Sequence, residues 1–154
     1  MEYDINDLRV AARTIDRRAS FLIYRNLIHP WKDKRRSKEV WDFCMNFTYR
    51  QQGALKVIQN LLNLKERRSD FINSYLLCVK GYKLLNFLEI ILPFLQDEGK
   101  IRTIKAMFDV VFWHEAYKKE PNKRNQNMRS RAFTKFKRIK LAEKKAESKN
   151  FLQN

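Results

Sequence analysis

The side chains with chemical reach in this sequence are cations and hydrogen-bonding residues interleaved with aromatic ones. Residues 40–50, VWDFCMNFTYR, alternate strictly: Trp41, Phe43, Met45, Phe47 and Tyr49 fall on one parity, and Asp42, Cys44, Asn46, Thr48 and Arg50 on the other. A period of two over this length predicts a strand with one apolar and one polar face. Asn46, Thr48 and Arg50 are side-chain types that bond base edges and phosphates, although an ordinary solvated sheet face has the same pattern. A basic loop comes just before, with Lys32, Lys34, Arg35 and Arg36 following His29, Pro30 and Trp31. The last segment, 118–154, carries thirteen Lys and Arg against three Glu, with Lys123, Arg124, Arg129 and Arg131 among them. Such a run predicts an interaction arm that orders on a phosphate backbone, where counterion release gives affinity independent of sequence.

Other chemistries find less support. Two cysteines (Cys44, Cys78) and two histidines (His29, His114) have no zinc-site spacing. Both cysteines sit in apolar runs and read as small buried hydrophobes. The formal charge of +16 over 154 residues points to a polyanionic partner, most simply nucleic acid. The start, Met-Glu-Tyr-Asp, has no secretory h-region, and no run reaches the roughly 20 apolar residues that span a bilayer. The expectation is an intracellular, reducing compartment without membrane contact. Frequent Lys, Asn, Ile and Phe hint at an AT-rich genome, as in an organelle (mitochondrion or plastid) or a phage.

The elements that must position these residues follow in order. Residues 4–18 read as a helix capped by Asp4 or Asn6, with Leu8, Ala11, Ala12 and Ile15 as a narrow apolar stripe. Residues 20–25, SFLIYR, change to strand character ahead of the basic loop and the alternating strand. Gly53 opens a helix with the stripe Leu55, Ile58, Leu61 and Leu62, and residues 65–70 form a polar turn with a short strand edge. The densest apolar stretch, 74–111, reads as strand, turn at Gly81, helix, break at Pro93 and Gly99, and helix. This order predicts an α+β domain over 1–117, one antiparallel sheet with helices on its apolar face. Residues 118–154 form a basic tail, with a linker at 121–127 and a helix over 129–149. An all-helical basic adaptor, whose stripes are only core, is a competing reading.

Three places in this order resemble one family. AARTIDRRASF at 11–21 is similar to the signature LAGLIDADGSF, matching it at Ala12, Ile15, Asp16, Ser20 and Phe21. The long alternating strand with GALKVIQNLLN after it, and YLLCVKGYKLLNFLEIILPFL, fall where a single-motif LAGLIDADG homing endonuclease or maturase domain has its corresponding segments. The resemblance covers residues 4–117. It implies two domains, or two copies, packed through the signature helices, and a sheet saddle lying along the major groove. It also implies a divalent metal, Mg²⁺, held by an acid at each helix foot for phosphodiester cleavage. Here Arg18 stands at that acid's position, Ala19 replaces the last Gly, and Arg13 replaces the first. Asp16 matches an earlier acid of the motif and is the catalytic candidate only if cleavage is retained. The resemblance therefore implies a nucleic-acid-binding, cleavage-deficient derivative without a cofactor, acting as a maturase-like RNA-binding factor or a ribonucleoprotein (ribosome) component. An active metal-dependent endonuclease is the alternative. The binding surface it implies comprises Arg17 and Arg18, Tyr24, the loop cations Lys32, Lys34, Arg35 and Arg36, Asn46, Thr48, Arg50 and Lys80, with the tail beside them. Its partners are RNA or DNA, a homodimer mate or another LAGLIDADG domain, or proteins of a ribonucleoprotein.

Overall fold

The computed structural model describes residues 2–28, 38–49, 55–64, 67–68 and 75–153. They form two compact units, Met1–Gln96 and Asp97–Asn154.

In the first unit the elements run α1 (Ile5–Arg18), β1 (Ser20–Ile28), β2 (Lys38–Tyr49), α2 (Lys56–Leu62), β3 (Arg67–Arg68), β4 (Tyr75–Lys80) and α3 (Gly81–Ile91), then a 3₁₀ turn over Leu92–Phe94. The sheet order is β1-β2-β4-β3, and every neighbouring pair is antiparallel. The competing all-helical reading is thereby corrected: the alternation up to Tyr49 lies in a real strand, β2, one of the two inner strands of the sheet. Asp4 starts α1 by accepting the backbone N–H groups of Asn6 and Asp7. The stripe of α1 buries Leu8, Ala11, Ala12 and Ile15, as its spacing requires. On the sheet, Phe21, Trp41, Phe43, Met45, Phe47, Leu77 and Val79 are buried. Helix α3 packs on β2 and β4 and adds Leu84, Phe87, Leu88 and Ile91 to this core. The β4–α3 junction needs a left-handed backbone, and Gly81 supplies it at φ 71°.

The second unit is an antiparallel pair, α4 (Glu98–Lys119) and α5 (Lys123–Gln153). The break before α4 lies at Leu95–Asp97, not at Gly99: Asp97 caps the helix through the backbone N–H of Lys100 (2.9 Å), so Gly99 is its second residue. Helix α5 likewise starts inside the stretch 121–127 expected to be a linker. The Asn122 side chain accepts the N–H of Asn125 at 2.8 Å, and that cap turns Pro121-Asn122 into a helix entry.

Candidate nucleic-acid interface

The strand register sorts the sheet residues onto two faces. Opposite the apolar face, Ser20 stands across from Asn46, Leu22 from Cys44 and Tyr24 from Asp42 on one side of β2. On its other side Cys44 stands across from Lys80 and Asn46 from Cys78. Tyr24, Asn46, Thr48 and Lys80 thus share one face, as the alternation predicts. Tyr24 is 43% exposed, Thr48 and Lys80 are exposed, and Asn46 is half-buried. Oδ1 of Asn46 has no hydrogen-bond partner among the described residues. The face is less polar than its sequence parity suggests. Cys44 is fully buried on it, and burial, with Cys78 beside it, pushes its thiol up to about 11. Ser20 and Asn26 are exposed on this same face and were missed; the alternation in β1, out of step with Phe21 and Ile23, was the signal. The expected contacts Lys32, Lys34, Arg35, Arg36 and Arg50 lie outside the described residues.

The last turn of α1 presents Arg17 and Arg18, both exposed. Cations at a helix C-terminus are electrostatically favoured there whatever else they do. Asp16, in the same turn, accepts the backbone N–H of Gln96 through Oδ2 at 3.0 Å. It ties α1 to the segment after the 3₁₀ turn.

In the helical pair, Lys123, Arg124 and Arg131 are exposed and Arg129 is not. The expectation that Arg129 meets phosphate is corrected. Its guanidinium is buried at 4% exposure, with Nη1 3.1 Å from His114 Nδ1 and the group stacked 4.1 Å from the Tyr117 ring centroid. The inward period of α5 includes position 129, and a long side chain there finds partners on α4 rather than solvent. One acid of α5 is also turned inward: Glu143 meets Lys100 at 3.3 Å and accepts the Thr103 hydroxyl at 3.0 Å, whereas Glu147 is exposed. The outward row Arg124, Arg131, Lys135, Arg138, Lys145 and Lys149 is exposed and free of carboxylates.

No protein-family model and no curated protein matches this sequence. Solved structures do match it. The homing endonuclease I-CvuI, in complex with the I-CreI target, is 19% identical with a TM-score of 0.63 over 90% of this chain and 84% of its own. The archaeal intron-encoded I-Vdi141I, complexed with DNA, is 14% identical with a TM-score of 0.66 over 90% and 86%. The LAGLIDADG homing endonuclease I-GzeII, in complex with its DNA target, is 15% identical with a TM-score of 0.59 over 89% of this chain and 44% of its own.

The chain has the LAGLIDADG homing-endonuclease fold. That fold brings a divalent metal into question at the foot of α1, and the residues there do not fit one. A hard cation needs several oxygen ligands, carboxylates above all. This foot offers two guanidinium groups, and the nearest acid, Asp16, is engaged by Gln96. Among the described residues no three His, Cys, Asp or Glu side chains come together in a way that could hold a metal ion.

Proposed function

We propose that this chain is a nucleic-acid-binding protein on a LAGLIDADG scaffold that binds without cleaving, as a maturase-like RNA-binding factor or a ribonucleoprotein component. The observation that carries the reading is the foot of α1. Arg17 and Arg18 stand exposed where metal-assisted hydrolysis would need carboxylates, and guanidinium is the group best shaped to grip phosphate. The sheet face supports it: Tyr24 can stack on a base, Asn46 and Thr48 can bond base edges, and Lys80 can meet a phosphate. The outward row of α5 adds cations that read no sequence. Similar folds seen in complex with DNA favour a duplex ligand as the competing reading, so both nucleic acids belong in the test.

Fluorescence anisotropy of the full chain with a structured RNA hairpin and with duplex DNA measures the preference directly. Arg17→Gln with Arg18→Gln is expected to weaken binding about tenfold, the loss of roughly 1.4 kcal/mol. Incubation of plasmid with the chain and Mg²⁺ should leave it intact. A double-strand cut that disappears in Asp16→Ala would restore the endonuclease reading.

A further inference from the structure

Two thiols meet inside the polar face of the sheet. Cys44 on β2 stands across from Lys80 on β4, and Asn46 stands across from Cys78. Residues two apart on a strand share a face, so Cys44 and Cys78 are diagonal neighbours, with Asn46 and Lys80 at the other two corners. The two cysteine side chains are hydrogen-bonded to each other, and both are free thiols. They differ in access: Cys44 is fully buried, whereas Cys78 is half-buried. A reagent arriving from solvent therefore reaches Cys78 first and finds Cys44 behind it. Burial, ahead of the neighbouring Cys78, keeps the Cys44 thiol protonated, so it is not the first sulfur to react.

We propose that Cys44 and Cys78 are a modification site for a peroxide, which closes them into a disulfide and weakens the nucleic-acid face around them. In the first step Cys78 Sγ gives an electron pair to one peroxide oxygen. The S–O bond forms, the O–O bond breaks, and the second oxygen leaves as water with the thiol proton. In the second step Cys44 Sγ attacks the Cys78 sulfur of this sulfenic acid. The S–S bond forms, the S–O bond breaks, and the hydroxyl leaves as a second water with the Cys44 proton. Two thiols are oxidised and one peroxide is reduced. Diagonal neighbours in a sheet have Cα atoms about 7–8 Å apart, beyond the roughly 4.4–6.8 Å that a disulfide usually spans. Closing the bond therefore draws β2 and β4 together at this point. Asn46, opposite Cys78, and Lys80, opposite Cys44, move with the backbone that carries them. The coupling to binding rests on the reading above that gives these two residues to a base edge and a phosphate.

The test treats the folded, full-length chain with hydrogen peroxide and follows it by intact mass, peptide mapping and a non-reducing gel. The expected product is a monomer lighter by two hydrogen atoms, with Cys44 and Cys78 joined in one peptide pair. In Cys44→Ala the reaction is expected to stop at Cys78, as a sulfenic acid that dimedone traps. Sulfinic acid on Cys78 of the wild type without a cross-link overturns the proposal, and so does a disulfide between two chains. Fluorescence anisotropy with duplex DNA and the RNA hairpin then compares the reduced and oxidised proteins. Oxidation is expected to raise Kd about tenfold, the loss of roughly one polar contact, and a phosphine reductant is expected to restore it. Cys78→Ser is expected to bind like the reduced wild type before and after peroxide. A loss of binding that Cys78→Ser shares comes from another residue and overturns the coupling. An oxidised chain that keeps the reduced Kd overturns it too, while leaving the binding reading intact. A reduced chain that binds neither nucleic acid sinks that reading and the coupling with it, and the mass measurement then decides the thiol pair by itself.

Discussion

Arg129 and Arg131 are two positions apart on one helix and do opposite things. Arg129 is buried against His114 and Tyr117, whereas Arg131 is exposed on the outward row. Removing the first leaves a hydrogen-bonded network open and forfeits a cation–π contact, a loss of about 2–4 kcal/mol. Arg129→Met is therefore expected to lower Tm by roughly 5–10 °C while leaving the salt dependence of nucleic-acid binding unchanged. Arg131→Gln is expected to do the reverse, with an unmoved Tm and a slope shallower by about 1. Thermal melts and anisotropy titrations on the same two proteins decide it. Cys44 offers a second residue-level check. Its thiol is raised from 9.0 to about 11 by burial, so the thiolate is disfavoured in the folded chain. The folded-state pKa lies above the unfolded one. The stabilisation is therefore whole below about pH 9 and lost as pH rises through 11. At pH 8 the half-exposed Cys78 should be alkylated by iodoacetamide first, with Cys44 at least about 100-fold slower than a free thiol. Equal labelling of both sulfurs would contradict the placement of Cys44.

At the scale of elements, junctions decide more than propensities. Gly81 follows β4 directly and begins α3 with φ 71°, and a Cβ built there meets nothing within 4 Å. The space is open, so any penalty for a side chain comes from the backbone alone. Gly81→Ala should cost about 1 kcal/mol, and Gly81→Asn less, because Asn tolerates the left-handed region. Chemical denaturation of the pair checks the ranking; equal costs would mean the strain lies elsewhere. This junction was legible in the sequence, since an apolar β-type run meeting Gly and then a helical stripe has few other solutions. So were the α1 stripe and the alternation of β2, because local periodicity carries them. The start of α4 was misplaced by two residues: Gly99 looked like a breaker, but Asp97 caps the turn that contains it. The role of Asp16 was not legible at all. Its partner, the backbone of Gln96, lies 80 residues away, and only the fold brings them together.

At the scale of the whole molecule, a charge of +16 says that a polyanion is the natural partner but not which cations meet it. The sequence spreads thirteen Lys and Arg over 118–154 as though all were equivalent. Helical geometry separates them. Lys100 and Glu143 pair inside the α4–α5 unit with Thr103, and Arg129 is spent on His114. Burial, and then the nearby charge of Lys144, lowers the pKa of the half-buried Lys140. Of the cations left exposed, Arg124, Arg131, Lys135, Arg138, Lys145 and Lys149 form one row along α5, and with Glu143 and Glu147 both on the side of Lys100 no carboxylate lies in that row. If this row tracks a phosphate backbone, each of its cations releases close to one counterion, and the logarithm of affinity falls by about 0.9 per contact for each decade of salt. Replacing Arg131, Lys135, Arg138 and Lys145 with Gln should then flatten the duplex-DNA salt slope by about 3–4 while leaving the preference between sequences as it was. Tyr24→Ala or Asn46→Ala on the sheet face should do the converse, lowering discrimination with little change in slope. Titrations of the three proteins from 50 to 300 mM salt separate the two outcomes. A quadruple variant that keeps the wild-type slope would remove α5 from the binding surface and leave the sheet and the foot of α1 to account for all of it.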